Sequence, residues 1–186
     1  MTLQKPTRAE LLGAAGNTVP DVIGPDLRVL FCGINPSLYA GATGHHFSRP
    51  GNRFWPTLHA AGFTDVRLRP AEGRRLLEFG YGMTNLVERA TAGADELSAA
   101  ELVTGKQDLS MKVLRYGPRV VALLGVGAYR TAFSRPGAAV GLQAERLGNA
   151  PVWVLPNPSG LNAHYPPERL ASVYRILRLA LEELEI

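Results

Sequence analysis

The feature that most constrains this sequence is an alternation of short apolar runs with helical segments. Residues 28–34, 119–124 and 152–155 have the length and apolar content of strands buried on both faces, and residues 81–86 form a weaker fourth candidate. Strands that alternate with helices predict a mostly parallel sheet with helices on both sides. Ligands of such sheets bind outside the carboxyl ends of the strands, so we look for a site in the segments that follow these runs.

Helical segments separate the predicted strands. Residues 53–61 and 71–79 are two candidates. The spacing of Ser98 and Glu101 is that of a capping box, which predicts a helix that begins there and ends at Gly117. The C-terminal segment is the clearest helix, because apolar residues form a stripe along one face. The stripe consists of Leu170, Val173, Tyr174, Leu177, Leu181 and Leu184.

Length and composition exclude several classes of protein. The 186 residues are enough for one domain with a substantial core. The single cysteine, Cys32, excludes an internal disulfide, a cysteine-rich zinc site and a four-cysteine iron–sulfur cluster. No apolar run approaches the ~20 residues of a membrane span, and no signal-peptide pattern is present, so we expect a cytoplasmic protein with no membrane partner. The net charge of +4 weakly favours a polyanionic partner.

The long loop at residues 41–55 has the composition of a functional loop rather than of a simple connection. It carries two histidines and three aromatic residues, and long ordered loops in compact domains tend to be functional. His45 and His46 could suggest a metal ion. Adjacent histidines point apart on most backbones, and no aspartate or glutamate lies nearby in the sequence. We therefore predict no metal and no cofactor.

Two further segments each allow two interpretations. Gly125 and Gly127 follow a predicted strand, as in a dinucleotide-binding fingerprint, but Arg130 replaces the third glycine. A tight strand-to-helix turn is favoured, and a nucleotide-dependent oxidoreductase is the alternative. In residues 156–163, Leu161 is either an exposed apolar tip or a core leucine at a helix entry, and the segment alone favours the core leucine.

Four motifs together resemble the mismatch-specific uracil/thymine DNA glycosylases of the uracil-DNA glycosylase superfamily. They are GINPS at residues 33–37, GHHFSRPGNRFW at 44–55, TNLVER at 84–89 and NPSGL at 157–161. They occur in the family's order and spacing, and the similarity spans residues 27–184. The resemblance implies one glycosylase core at 27–184 with an N-terminal extension at 1–26. It also implies a three-layer α/β/α sandwich with a central, mainly parallel sheet.

The resemblance implies a DNA repair reaction. The protein would flip uracil out of a mismatch with guanine in double-stranded DNA and hydrolyse the N-glycosidic bond, leaving an abasic site. It would act as a monomer, and thymine and etheno-cytosine remain open as further substrates. A non-catalytic DNA-lesion binder on the same fold is the alternative function, and release of free uracil distinguishes the two.

The resemblance also assigns roles in the base pocket. Asn35 matches the family's water-positioning asparagine, whose neutral amide can orient water but cannot take its proton. Phe47 matches the aromatic residue that stacks on the flipped base. Asn157 is a second candidate catalytic residue and is expected to help bind the uracil face. Ala40 and His46 match positions near the 5-substituent of the base and the pocket entrance. Backbone N–H groups around Gly33, Ile34 and Asn35 would stabilise the departing anion.

A second group of residues matches the segment that enters the DNA. Gly160, Leu161 and Asn162 match the insertion wedge, in which leucine fills the gap left by the base. Ser159 and nearby N–H groups would hold a phosphate. Two positions depart from the family pattern. Ala163 stands where some relatives have an arginine, and Ser37 replaces a glycine, which implies a different turn after Asn35.

Whether a carboxylate activates the water stays open at this point. Asp95 lies in the segment after the TNLVER motif and is a weak candidate for the general base. Its other interpretation is that it simply precedes the capped helix. Glu88, within the motif, is a further acidic residue in this region.

Overall fold

Five strands form one sheet in the computed structural model, which describes residues 5–183. They are β1 (Val29–Gly33), β2 (Tyr81–Asn85), β3 (Val120–Leu124), β4 (Gly141–Leu147) and β5 (Ala150–Leu155). Their order across the sheet is β2-β1-β3-β5-β4. The first four strands in this order are parallel, and β4 pairs antiparallel with β5 at the edge. The predicted, mainly parallel sheet is confirmed.

The four predicted strands are present, with ends shifted by one or two residues, and β4 is an additional strand. In β1, β2, β3 and β5 every residue is buried, as expected for strands covered on both faces. In β4 intermediate and exposed residues alternate until Leu147. An edge strand of this kind has no apolar run, which is why the sequence pattern did not predict it.

Within residues 5–183, six α-helices and two 3₁₀ segments precede, connect or follow the strands. The helices are α1 (Arg8–Gly13), α2 (Leu38–Thr43), α3 (Phe54–Ala60), α4 (Ala99–Tyr116), α5 (Val126–Ala132) and α6 (Pro167–Glu183). The 3₁₀ segments are Pro70–Phe79 and Ala94–Glu96. Among the described residues, no helix is long and apolar enough to cross a membrane.

The predicted boundaries of α4 agree with the structure, and the predicted C-terminal apolar stripe lies on α6. Ser98 and Glu101 form the expected capping box, and Gly117 ends α4 in the left-handed conformation with φ of 57°. The apolar stripe of α6 faces the sheet, with Leu170, Tyr174, Leu177 and Leu181 buried. Leu184, which the sequence pattern also places in the stripe, lies outside the described residues.

The helices cover both faces of the sheet and enclose two apolar clusters. Alternate strand residues point into opposite clusters: Phe31 lies in the cluster under α3 and α6, and Leu30 lies in the cluster under α4 and α5. This arrangement is the expected three-layer sandwich. The 3₁₀ segment before β2 packs into the first cluster through Leu76.

A segment near the N-terminus pairs with the outer edge of β2 at one residue; we call residues 17–22 the strap. Val22 exchanges two main-chain hydrogen bonds with Met83, at 2.9 and 2.7 Å. Asp21 accepts a hydrogen bond from the Thr84 hydroxyl and forms a 2.8 Å ion pair with Lys112 of α4. The strap thus joins the sheet edge to a helix.

Candidate active site

A cavity of about 190 Å³ lies outside the carboxyl ends of the parallel strands. Most of the residues predicted to form the site line it: Gly33, Ile34, Asn35, Ala40, His46, Phe47, Asn157, Ser159 and Leu161. Asp95, Gly160 and Asn162 are not among the lining residues. The cavity is smaller than the roughly 300–1,000 Å³ typical of sites for drug-sized ligands, which fits a single ring better than a dinucleotide.

Gly33 is the last residue of β1. Because it has no side chain, the side chains of Asn85 and Phe47 can both lie against it. A Cβ at this position would lie 2.6 Å from Oδ1 of Asn85 and 3.2 Å from Cζ of Phe47. Phe47 has a φ of 53°, a conformation that is rare for residues other than glycine, and its ring stacks on Phe54 with centroids 4.0 Å apart. The aromatic face is therefore held in a fixed position at the pocket.

The side-chain amide of Asn35 is fixed in one orientation. Its Nδ2 donates to the carbonyl oxygen of Arg89 at 3.0 Å and to the Thr91 hydroxyl at 2.7 Å. The Thr91 hydroxyl can accept this bond because its own proton goes to the Gly93 carbonyl, at 2.8 Å. Both amide hydrogens are thus used, and Oδ1 of Asn35 remains as a hydrogen-bond acceptor at the pocket wall.

A buried histidine and asparagine form another part of the wall. Nε2 of His46 lies 2.9 Å from the carbonyl oxygen of Pro20 in the strap, so it carries the proton, and Nδ1 faces the amide nitrogen of Asn85 at 3.5 Å. Burial lowers the pKa of His46. His46 therefore belongs to the buried wall rather than to an exposed entrance, and both of its ring nitrogens have partners.

Asn85 and Thr91 are pocket residues that the sequence did not predict individually. Asn85 is the last residue of β2 and lies within the TNLVER motif, so its position at a strand's carboxyl end was an available signal. Thr91 has no such signal, because its contact with Asn35 joins residues 56 positions apart.

Asn157 and the residues after it form the opposite side of the pocket; we call residues 157–165 the wedge loop. Oδ1 of Asn157 accepts from the Ser159 N–H at 3.0 Å, which leaves its Nδ2 as a donor. The side chain of Asn162 donates to the Asn157 carbonyl and accepts from the His164 N–H. These local bonds shape the loop, and Leu161 at its tip is 76% exposed. The exposed-tip interpretation of Leu161 is confirmed, and the core interpretation is wrong.

Of the two departures from the family motifs, the structure explains Ser37. Ser37 has an ordinary φ of −71°, and its hydroxyl accepts from the Ala40 N–H, so it forms the N-cap of α2. The helix α2 was not predicted. Ala163 is exposed, as is His164 beside it. Arg169 of α6 donates to the His164 carbonyl and lies over the Tyr165 ring.

The acidic candidates are not among the residues that line the pocket, although Gly93 and Ala94, next to Asp95, are. Asp95 is exposed on the 3₁₀ segment Ala94–Glu96, with Oδ1 close to Gly93. Glu88 is exposed and pairs with Lys112 at 3.1 Å. In the part of the chain that the structure describes, no aspartate or glutamate lines the cavity. Any chemistry here must therefore work without a carboxylate at the pocket wall.

The turn at Gly125 and the possible metal ligands are the last two features that the sequence singled out. Gly125 has a φ of 146° between β3 and α5, and its Cβ position would meet the Ile34 side chain at 2.9 Å. This geometry requires glycine and supports the tight-turn interpretation. Within residues 5–183, no cluster of three or more histidine, cysteine, aspartate or glutamate side chains is placed to hold a metal ion.

Comparisons with known proteins show the family and agree with the fold. The family model of the uracil DNA glycosylase superfamily matches residues 20–178, a range that contains every residue lining the cavity. A solution NMR structure of a provisionally assigned uracil DNA glycosylase from Methanosarcina acetivorans superposes with a TM-score of 0.58. The two chains share 18% identity, over 88% of this chain and 98% of the other. At this identity the likeness shows the fold.

Proposed function

Because this chain belongs to the uracil DNA glycosylase superfamily, we propose that it excises uracil from mismatches with guanine in double-stranded DNA. Superfamily membership supports DNA glycosylase activity, with DNA as the partner. The mismatch preference and the residue roles given below are the proposal. The products are free uracil and an abasic site.

The observation that carries the proposal is the orientation of Asn35 in a pocket of single-base size. With both Nδ2 hydrogens bound to Arg89 and Thr91, Oδ1 can accept a hydrogen bond from a water molecule. A water held in this way would attack C1′ of the flipped nucleotide. A strained Phe47 lies at the same pocket to stack on the base.

In the proposed reaction, the base leaves before any proton is transferred. The C1′–N1 bond breaks to give a uracil anion and an oxocarbenium-like sugar, and the water oxygen then bonds to C1′. Because a neutral amide cannot take the proton of water at neutral pH, that proton passes to solvent and the uracil anion is later protonated from solvent. Backbone N–H groups of residues 33–35 and Nδ2 of Asn157 stabilise the anion.

Leu161 supports a preference for mismatches, and Ala40 bears on which base is accepted. Leu161 can enter the base stack, since it is exposed at the tip of an ordered loop beside the pocket. Main-chain groups beside it would read the unpaired guanine. Ala40 presents no polar group to the pocket, so a 5-methyl group can be accommodated and thymine is a candidate second substrate.

The absence of a carboxylate from the lining also favours a second candidate function, a DNA-lesion binder that does not cleave. Release of free uracil distinguishes the two candidates. A binder would retain a mismatched duplex without releasing free base, whereas a glycosylase releases uracil and leaves an alkali-labile abasic site.

A panel of four DNA substrates tests the proposal: uracil opposite guanine, uracil opposite adenine, thymine opposite guanine, and single-stranded uracil. We expect the fastest release of uracil from the guanine mismatch. The matched control is Asn35→Ala purified in parallel, which detects contaminating glycosylase. Equal rates opposite guanine and adenine would overturn the mismatch preference, and tight binding without release would select the lesion binder.

A further inference from the structure

Arg53 is bound almost entirely to the wedge loop, although it lies more than 100 positions away in the sequence. Its Nη1 donates to the Tyr165 carbonyl at 2.5 Å, and its Nη2 donates to the carbonyls of Ser159 and Asn162 at 2.5 and 2.8 Å. Its own N–H donates to the carbonyl of Pro158 at 2.9 Å. One side chain thus holds both ends of the turn that carries Leu161.

The two loops also meet directly at a second point. A Cβ on Gly160 would lie 2.4 Å from the carbonyl oxygen of Gly51, so the wedge loop packs closely on the loop before α3. That loop contributes Phe47, Arg49 and Asn52 to the pocket lining. Arg53 therefore joins the pocket wall to the wedge loop.

The charge of Arg53 has no acidic partner among the described residues, since no carboxylate lies within ion-pair distance. Its Nε is buried and, within residues 5–183, has no hydrogen-bond partner. A partly buried guanidinium that is bound to carbonyls alone loses hydration without gaining a carboxylate partner, so it depends on the directed hydrogen bonds of its planar fork. A lysine would supply the charge but not three simultaneous bonds of fixed direction.

We propose that Arg53 is a positioning residue for the wedge, which holds Leu161 at a fixed distance from the base pocket. The inference rests on the proposed function. When the base leaves the stack, a wedge in a fixed position enters the gap without a separate ordering step, and the free energy of ordering the loop is spent during folding instead.

The test compares Arg53→Lys with the control Arg67→Lys, an exposed arginine that forms no ion pair with the residues at positions 5–183. We expect hydrogen–deuterium exchange to rise at least about tenfold in peptides covering residues 157–165 of Arg53→Lys, as loss of a charge-assisted hydrogen bond predicts. In Arg53→Lys, exchange in peptides covering β5 should match that of the wild type. In the control Arg67→Lys, exchange should match the wild type in the wedge loop as well. Unchanged exchange in the wedge loop would overturn the proposal, whatever the activity.

A double-mutant cycle with Leu161→Ala gives the functional test. Single-turnover excision of uracil opposite guanine should fall by about tenfold in Arg53→Lys. In a protein that already carries Leu161→Ala, adding Arg53→Lys should cause no further loss, because the two residues act on one step. Independent, additive losses would show that Arg53 supports the fold generally. If the wild-type protein releases no uracil from any substrate, the proposed function fails, and the exchange result alone decides whether Arg53 positions the loop.

Discussion

The side chains at the pocket wall show how individual residues are restricted to one role. Asn35 can present only its oxygen, because the Arg89 carbonyl and the Thr91 hydroxyl take both amide hydrogens. His46 can present only an unprotonated Nδ1, because its ring proton is on Nε2, which donates a hydrogen bond to the Pro20 carbonyl. Neither restriction is visible in a single motif, since each depends on a partner from another segment.

Asn35→Ala should bind a guanine–uracil duplex almost normally and lose most of its excision rate. The residue orients water rather than DNA, and misplacement of a reacting group costs roughly 10²-fold in rate. Single-turnover excision and duplex binding measure the two effects separately. Asp95→Ala is the matched control and should retain full activity, because Asp95 does not line the pocket. A comparable loss in Asp95→Ala would instead identify Asp95 as the base.

His46 should make the protein less stable as the pH falls through the slightly acidic range. Burial lowers the pKa of His46 below its ordinary value of 6.5, so below about pH 6.5 the unfolded chain binds a proton that the folded chain does not. The free energy of unfolding then decreases with falling pH until the folded-state pKa is passed, with a slope of at most about 1.4 kcal/mol per pH unit.

Urea unfolding between pH 5 and 7.5 measures this slope for His46→Gln and for the control His45→Gln. We expect the slope to disappear in the first variant and to persist in the second. Glu101 and Glu145 do not interfere, because hydrogen bonds from Arg89 and from Tyr129, respectively, lower their pKa values to about 2 and their contribution is lost only below about pH 4.5. An unchanged slope in His46→Gln would contradict the prediction.

The sequence predicted most of the site because its residues lie in local motifs at strand ends. Gly33 ends β1, and Asn35 and Asn157 follow β1 and β5, where the parallel sheet places its ligands. Thr91 and Pro20 could not be predicted in this way, because what they do depends on tertiary contacts with Asn35 and His46.

Among the elements, the segment Pro70–Phe79 differs from an ordinary helix, because it is a 3₁₀ helix of ten residues. Gly73 and Leu76, three positions apart, are buried, and a Cβ on Gly73 would meet Met83 at 3.2 Å and Trp55 at 3.4 Å. Three residues per turn place such positions on one face. The sequence predicted a helix but not its type, since propensity does not distinguish the two.

The hairpin of β4 and β5 was only half predicted. β5 is apolar and was recognised, whereas β4 carries exposed residues such as Leu142 and Arg146. The two-residue turn at Gly148 and Asn149, with Gly148 at a φ of 55°, was the available signal. A hairpin signal of this kind is more reliable than hydrophobicity at the edge of a sheet.

Leu161→Ala should leave the stability nearly unchanged and slow excision from the duplex. Truncation of an exposed side chain changes the free energy of unfolding by less than about 0.5 kcal/mol, whereas Leu170→Ala, the control at a fully buried position, should cost about 2–5 kcal/mol. Chemical denaturation measures both variants. A loss in Leu161→Ala similar to that in Leu170→Ala would remove the wedge role.

At the scale of the whole molecule, the alternation of strands and helices was sufficient to predict the three-layer architecture. It was not sufficient for residues 1–26, which are predicted as an extension. In the structure Val22 belongs to the main apolar cluster, and the Pro20 carbonyl contacts His46. The strap is a short, irregular segment without a helical or alternating apolar pattern. Its place in the fold is therefore visible only from its contacts.

Two carboxylates that share Lys112 provide a test of the strap. Asp21→Asn should destabilise the fold by about 1–2 kcal/mol and slow excision, because Asp21 is mostly buried, 2.8 Å from Nζ, and anchors the strap that holds His46. Glu88→Gln should change stability by less than about 0.5 kcal/mol, since its side chain is 64% exposed. Equal effects in thermal unfolding would mean that the strap does not depend on this ion pair.

The strap also affects how copies of this protein can associate. Its two main-chain bonds occupy the outer edge of β2 at Met83, while no described segment pairs with the outer edge of β4. The strap covers only the middle of the β2 edge, so β4 offers the longer unpaired edge. We expect edge-to-edge pairing of two copies to take place through β4, and a β4-to-β4 pair about a two-fold axis leaves neither β4 edge free for a third copy.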